Sequence, residues 1–560
     1  GGAAGGRLPG EVLRVLAALG AEVAARFGRP QDIEWAFADG KVWLLQARPV
    51  TALPPPPLGR LGPLRRRLGA VLSEYVPVRP YPIDMSTWLP HGPAGLMARV
   101  TGSFGVRSAF EDFLREEDGV VYRLVPPRPR PAPRLLVMPF RVAAKARRYD
   151  PARWTGDPRF TRFLDGNREL AARDLAAMPW PELISVPRQA LDLVRPVADL
   201  RIDYLPGTGV ALLRLLVSLR LLGRGRWFGE LIAGGRTRTA DANRALEELA
   251  EVARLTGALD VRPPHRAPAA FAAKLEAFLA EYGHRETASP LLVTSPTWAD
   301  APETVLGLIR VLAAGPPKPA AADPLDRLLD EHPRLRRSSA RRARMVRRVE
   351  AARAGIAFRE DSHFYFTLPL PVLRRSLLEI GRRLRDADVL RNAEDVFHLR
   401  LEELEGIKDP AAGGPGLERL RAAVPARAAR REELAGVRLI EPAALFPARP
   451  AGDALVAGTP ASGGRATGPV KVIREPSEFG RLARGDVLVC PYTNPSWTPL
   501  FQRAAAVVVD TGGSASHAAI VAREYGIPAV MGTADGTSTL TDGLLVTVDG
   551  GTGRVTAAAP

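Results

Sequence analysis

The feature that most restricts how this chain can fold is a change of texture near residue 455. From about 60 to 445, apolar residues recur at helical spacing. Past 455, short β-branched runs alternate with glycine turns. Val470-Lys471-Val472-Ile473, Val487-Leu488-Val489-Cys490 and Ala506-Val507-Val508-Val509 read as strands, and Ala518 to Arg523 as a helix. Leu544-Leu545-Val546-Thr547-Val548 and Arg554-Val555-Thr556 flank a Gly-rich turn. The pattern predicts a large, mainly helical region over 60–445 and a compact α/β domain over 455–557. Within the former, residues 239–256 carry Ala245, Leu246, Leu249, Val252 and Ala253 on one stripe, with Gly257 as C-cap. Near the start, Gly10 to Phe27 place Val12, Leu13, Leu16, Leu19 and Val23 on one stripe.

Composition excludes several classes. With 46% apolar and 25% charged residues the chain is globular, not disordered. One cysteine, Cys490 in a strand-like run, excludes internal disulfides and cysteine-rich zinc sites. The longest apolar tract, near Val210–Leu222, reads as too short for a bilayer and holds Arg214 and Arg220. No signal peptide is visible, so no membrane partner and a cytoplasmic location are expected. The net charge is +17, but the arginines are dispersed. Their densest cluster, Arg336 to Arg348, has few aromatics among it and reads as a solvated face of a helix that also presents Leu335, Met345 and Val349. Nucleic acid is therefore not expected as a partner. Clusters such as Leu53-Pro54-Pro55-Pro56-Pro57 and Pro126 to Pro131 read as linkers and loops.

The informative stretch runs from Asp510 through Thr511-Gly512-Gly513-Ser514-Ala515-Ser516-His517 into the helix that follows. Glycines let backbone approach a bulky anion. The first amides of a helix lack internal partners, and its dipole favours negative charge there. A neutral imidazole is a nucleophile. Ser514, Ser516 and Thr511 can cap the helix or donate to phosphate. Together these residues suggest a phosphate-bearing histidine.

The segment resembles the swivelling phosphohistidine domain of the phosphoenolpyruvate-utilising enzymes, a group that includes phosphoenolpyruvate synthase, pyruvate phosphate dikinase and rifampin phosphotransferase. The resemblance takes in Gly458 to Val470, Gly485 to Val489, Pro495 to Leu500, Thr541-Asp542-Gly543 and Val548-Asp549-Gly550. It implies that His517 is phosphorylated, with Thr511, Gly512, Gly513 and Ser516 as its surrounding loop.

Upstream, Gly28 to Trp35 and Leu45 to Thr51 resemble the last hairpin of the family's ATP-grasp nucleotide domain. The resemblance implies that Glu34 and Gln46 bind the Mg²⁺ on ATP and that Arg48 contacts phosphate. A two-residue turn at Asp39-Gly40 would set Glu34 and Gln46 on opposite faces. A three-residue turn, Ala38-Asp39-Gly40 with Gly40 left-handed, restores them to one face, diagonal and about 7–8 Å apart. That turn is predicted, with Asp32 and Arg48 on the same face and Ile33, Trp35, Trp43 and Leu45 packing inward. Residues 1–53 are expected to be the C-terminal remnant of the nucleotide domain and not to complete an ATP site.

The order of nucleotide segment, helical region and histidine domain resembles that of rifampin phosphotransferase. The fold class expected is thus multidomain α and α/β, with an ATP-grasp hairpin, a helical acceptor-binding domain and a small β/β/α swivelling domain. Tyr282-Gly283-His284-Arg285 and Pro296-Thr297-Trp298 resemble a family segment, although an ordinary structural role for His284 stays open. Arg359-Glu360-Asp361-Ser362-His363-Phe364 resembles the family's Arg-Glu-x-x-Lys-Phe helix, in which the Arg and Lys flank the transferred phosphate. His363 stands at the Lys position and weakens that positive clamp. The implied function is ATP-dependent transfer of a phosphoryl group through His517 to a small-molecule hydroxyl acceptor, an antibiotic being one candidate, with release of AMP and phosphate. Alternatives are a phosphocarrier or regulatory protein charged by a separate ATP-grasp chain, or a degenerate phosphoenolpyruvate synthase-like protein.

Overall fold

A computed structural model describes residues 10–28, 31–49, 58–233, 236–259, 268–285, 289, 291–314, 323–446, 452–514 and 516–558. The run Leu53–Pro57, read as a linker, lies outside them. The chain divides into a unit of Gly1–Pro57 with Ala428–Arg438 and a second of Leu58–Arg427 with Leu439–Pro560. Elements used below are numbered in chain order.

In the first unit, helix α1 (Gly10–Phe27) is followed by an antiparallel hairpin, β1 (Gln31–Ala38) and β2 (Lys41–Pro49). Val12 and Val23 are buried on α1, whereas Leu13 of the expected stripe is exposed. The hairpin corrects the expected turn. Ala38 pairs with Lys41, so the loop is the two residues Asp39 and Gly40, with φ of 54° and 73°. Two left-handed residues give the turn whose twist suits a hairpin. Face parity is restored elsewhere. A bulge falls where Trp35 pairs with Leu44 but Glu34 pairs with Gln46, leaving Leu45 as the extra residue. Glu34 and Gln46 therefore stand directly opposite, not diagonal. The same bulge puts Trp43 on the Glu34 face, and both Trp43 and Leu45 are exposed instead of packing inward.

In the second unit, the stretch from 60 to 445 is mainly helical, but two small antiparallel pairings interrupt it: Val106–Arg107 with Arg130–Pro131, and Leu114–Glu117 with Val120–Leu124. Pro126 and Pro127, read as linker or loop, lie in irregular backbone and are buried. The helices that frame the site are α2 (Pro63–Tyr75), α3 (Val186–Leu221), α4 (Arg238–Thr256), α5 (Ala269–Tyr282), α6 (Pro302–Ala313) and α7 (Ser339–Phe366). The stripe expected on α4 holds, with Leu246, Leu249 and Ala253 buried and Gly257 left-handed at its C-cap. The apolar tract near 210–222 is the end of a longer element: residues 180–221 are long and apolar enough, by length and composition, to cross a membrane. Here the inner face of α3 is buried against α7.

The α3–α7 crossing is close because Gly355 has no side chain. A Cβ there would stand 3.0–3.2 Å from Thr208, whose Oγ1 donates to the Gly355 carbonyl at 3.3 Å. One turn on from that contact α7 presents Arg359, whose carbonyl accepts from Nη1 of Arg201 on α3 at 3.4 Å.

C-terminal to these helices lie β3 (Val456–Ala457), β4 (Thr459–Ser462), β5 (Arg465–Val472), β6 (Val487–Cys490), β7 (Ala506–Val509), α8 (His517–Tyr525), β8 (Ala529–Met531), β9 (Leu545–Asp549) and β10 (Arg554–Ala557). They form one eight-stranded mixed sheet in the order β3-β10-β9-β5-β6-β7-β8-β4, with β5, β6, β7 and β8 parallel. The central strands are buried on both faces, which explains their unbroken apolar runs. Val487, Val489 and Val508 enter one core, and Leu488, Cys490 and Val507 the other. The second core includes Ala518 and Ala522 of α8 and also takes in Leu246 of α4 and Leu308 of α6. At that seam Gly307 and Gly480 touch at ordinary van der Waals spacing: a Cβ on Gly480 would lie 3.8 Å from the Gly307 Cα.

Gly355→Ala should destabilise the protein. Alanine gains about 1 kcal/mol in helix propensity, but overpacking costs about 1–3 kcal/mol. We expect a net loss of about 1 kcal/mol, read as a lower denaturation midpoint; an unchanged midpoint would mean the crossing can yield.

Candidate functional site

The loop from β7 into α8 is fixed by its own polar residues. Asp510 accepts from Thr533 Oγ1 at 3.0 Å and from the Thr537 amide at 3.1 Å. Thr511, read as a possible phosphate donor, spends its hydroxyl on the Pro491 carbonyl at 2.9 Å. Gly512 has φ of 83°, and a Cβ on it would meet Ser516 at 3.0 Å, so no other residue fits without strain. Ser516 is the N-cap, its Oγ accepting from the Ala519 amide at 3.3 Å. His517 is the first residue of α8. Its amide donates to Oε1 of Glu74, at the end of α2, at 3.0 Å.

The His517 ring is half-buried, and its Nδ1 is buried without a hydrogen-bond partner among the described residues. Burial lowers its pKa to about 4, against the pull of Glu360 and with a smaller push from Arg285. The imidazole is therefore neutral at pH 7 and keeps a free lone pair.

Electrostatically, His517 answers to α7. Arg359 pairs with Glu360 at 2.6 Å, and Glu360 is held below its usual range by Arg359, His363 and His517 against the opposing effect of burial. His363 is pushed down to about 4 by burial and by Arg201, Glu360 opposing. Burial, then Glu360, raises Glu524 of α8 to about 7. Burial likewise raises Glu74 to about 7, partly offset by the His517 amide. The fold thus brings His517, its glycine loop, Arg359 and His363 into one charged cluster.

That cluster also contains Glu74, Arg201 and Glu524, which the sequence reading passed over, and Arg285 and Glu360, which it quoted within family-like segments without giving them a role. Arg201 had a detectable signal, a lone charge on the apolar face of a long helix. Glu74 had none, since a terminal helical Glu is ordinary. His284 takes the structural role left open for it. It is buried, its Nε2 contacts the Phe364 carbonyl at 3.2 Å, and its ring stands edge-on to Phe364.

Glu34, Gln46 and Arg48 form a cluster of their own in the first unit. Arg48 Nη2 donates to Gln46 Oε1 at 2.8 Å and lies 3.6 Å from Glu34 Oε1, all exposed. Two opposed oxygen donors, one anionic, fit a hard cation completed by phosphate and water oxygens, provided the guanidinium turns away. Among the described residues, no group of three or more His, Cys, Asp or Glu side chains is placed to hold a metal.

The His517 ring should titrate in NMR with a midpoint near 4, far below the ordinary imidazole value. Because this folded-state pKa is depressed, its contribution to stability is present above pH 6.5 and is lost as pH falls towards 4. A midpoint near 6.5 would show that the ring is solvated.

Comparison with known proteins agrees with this arrangement. Residues 482–553 match the PEP-utilising enzyme mobile domain, 206–360 the rifampicin phosphotransferase fourth domain, and 7–56 the pyruvate phosphate dikinase AMP/ATP-binding domain. The chain is 28% identical to a rifampicin phosphotransferase of Streptomyces sviceus over 96% of its own length and 67% of that protein's. It is 41% identical to the uncharacterized phosphotransferase YvkC of Bacillus subtilis, over 35% of this chain and 25% of that protein. With a phosphoenolpyruvate synthase of Aeropyrum pernix it shares 54% identity over 20% of this chain and 14% of that enzyme. The chain therefore spans only a part of the length of these relatives. Residues 482–553 are thus similar to the mobile domain of the phosphoenolpyruvate-utilising enzymes, and nearly the whole length of the chain is similar to the rifampicin phosphotransferases.

Proposed function

We propose that the protein is a phosphotransferase in which His517 carries a phosphoryl group from ATP to a hydroxyl on a small molecule, in the manner of the rifampicin phosphotransferases. The observation that carries this reading is the neutral His517 imidazole, opening a helix at a glycine turn and within the field of Glu360, the ion-pair partner of Arg359. In this reading the domains are a nucleotide-binding segment at 1–53, a helical acceptor-binding domain at 60–445 and a mobile phosphohistidine domain at 455–557.

Each step follows from the groups present. A ring nitrogen of His517 attacks the β-phosphorus of ATP, the N–P bond forms, the P–O bond to AMP breaks and the ring sheds a proton; water then cleaves the terminal phosphate from the histidine-bound pyrophosphoryl group, leaving one phosphoryl group on the ring. Glu34 and Gln46 would hold Mg²⁺ on ATP, and Arg48, freed from them, would meet phosphate. Bound there, the metal neutralises the charge of the phosphates. In the second step the acceptor oxygen attacks phosphorus and the N–P bond breaks. The hydroxyl proton balances the one the ring needs in order to leave as neutral imidazole. Arg359 supplies fixed positive charge where negative charge gathers on the phosphoryl oxygens. Gly512, Gly513 and the first-turn amides of α8 accommodate those oxygens. The apolar helical region suits an acceptor with a large hydrophobic body. Transfer to water instead of acceptor is limited if the cluster stays dry.

His363 favours a second reading. Depressed to about 4, it is uncharged at pH 7 and adds no second cation beside Arg359. A phosphocarrier, charged by a separate chain and discharged elsewhere, needs only the histidine and its loop. Incubating the protein with labelled ATP, with and without cell extract, separates the two: label acquired without extract excludes the carrier.

His517→Asn should abolish acid-labile phosphate on the protein, read by intact-mass spectrometry. Arg359→Ala should keep the label but slow its acceptor-dependent loss by about 100-fold. His363→Lys, which restores a positive charge one turn from Arg359, should speed that loss severalfold; no change would remove His363 from the site.

A further inference from the structure

The acceptor of the His517 amide is a feature the transfer reading does not use. Glu74 Oε1 receives that N–H at 3.0 Å, and its Oε2 would lie 3.9 Å from a Cβ on Gly512. One carboxylate oxygen therefore holds the first amide of α8 while the other spans the glycine turn. These are the places where oxygens of a tetrahedral anion on His517 would go: unpaired first-turn amides, the positive end of the helix dipole and the space left by glycine. The buried Nδ1 of His517, without a hydrogen-bond partner among the described residues, is a second sign that the ring is prepared for a group not yet attached.

We propose that Glu74 is the resting occupant of the oxyanion position at the start of the His517 helix, so that Glu74 and a phosphoryl-sized oxyanion exclude one another there. This rests on His517 being the phosphoryl carrier only in what it says about the loaded protein. In the unloaded protein Glu74 answers the helix amide and ties α2 to α8. In the loaded protein two anions would compete for one amide, and Glu74 must turn away or take up a proton. Once the phosphoryl group has left for the acceptor, Glu74 returns, and the position is closed to free phosphate. Glu74 thereby acts as a positioning residue that distinguishes loaded from unloaded protein.

The exclusion depends on pH. Facing this region are Tyr75 beside Glu74 on α2, and His517 and Glu524 on α8. From α7 come Arg359, Glu360 and His363; Arg201 enters from α3, and Arg285 from the turn after α5. Both histidines are neutral above pH 6 and the arginines stay charged, so over pH 6 to 8 the groups that change are the carboxyls of Glu74 and Glu524, each held at about 7. The Glu74 pKa is raised, so the group is neutral below about 7 and able to share space with an anion; above it the charge returns and so does the exclusion.

Sulfate is a suitable probe because it remains a dianion from pH 6 to 8. Its affinity is measured on the full, unphosphorylated chain through the chemical shift of the His517 amide, for wild type, Glu74→Gln and Glu74→Ala. At pH 8 both variants should bind sulfate about tenfold more tightly than wild type, as expected for removal of one adjacent like charge, and at pH 6 the gap should narrow. Glu74→Gln keeps the shape and an acceptor oxygen, so it isolates charge and should leave the His517 amide slow to exchange. Glu74→Ala should make that amide exchange faster. Equal sulfate affinity for wild type and Glu74→Gln at pH 8 would overturn the proposal. If the variants behave as expected while His517 never acquires acid-labile phosphate, the carrier reading fails and the exclusion stands. Normal phosphorylation with equal sulfate affinities has the opposite meaning.

Discussion

A helix begins with amide donors that its own carbonyls cannot reach, and at α8 the answer to those donors organises what surrounds it. Ser516 satisfies the Ala519 amide from within the loop. Glu74 satisfies the His517 amide from far away in sequence. The second bond makes the conformation of a short turn depend on the position of another helix, and it sets the His517 ring against α7. The Thr208–Gly355 crossing supports this from beneath, because it fixes how far along α7 the Arg359 turn emerges.

Burial is the leading influence on the histidines and on the two flanking carboxyls. It drives His517 and His363 down to about 4 and Glu74 and Glu524 up to about 7, so each is moved towards its uncharged form. Against these stand Glu360, which Arg359 keeps low in spite of burial, and the guanidinium groups of Arg359, Arg201 and Arg285. An arriving dianion would meet fixed positive charge and acids already close to taking up a proton. The linked effects on stability oppose one another. The depressed histidines weaken the fold as pH falls below 6.5, whereas the raised carboxyls weaken it as pH rises from 4.5 through 7.

Much of this was legible in the sequence, for identifiable reasons. The α4 stripe and its glycine C-cap, the strand runs of the C-terminal sheet and the His517 helix all rest on local periodicity, which the fold left intact. The short strands β3, β4 and β8 were not anticipated, because a strand held by its neighbours needs little pattern of its own. The hairpin shows another limit. Parity correctly required one additional residue between Glu34 and Gln46, but parity does not say where it goes. Asp39 tolerates the left-handed region, so the turn closed in two residues and the surplus became a bulge at Leu45. Pro126 and Pro127 do lie in irregular backbone, as read, yet are buried, because proline limits backbone hydrogen bonding, not burial. The contacts that make the site, Glu74 to His517 and Arg201 to Arg359, join positions that no local window holds together.

The seam between Gly307 and Gly480 has a consequence for movement. Two stretches of bare main chain lie against each other there, within a shared apolar core. Interlocked side chains resist separation because each must be withdrawn from a socket; flat backbone has nothing to withdraw. The glycine pair itself offers little resistance to parting, so what holds the seam is the ring of side chains around it, Leu308 and Phe479 among them. A methyl group would fit on either side, whereas a longer side chain would have to displace that ring.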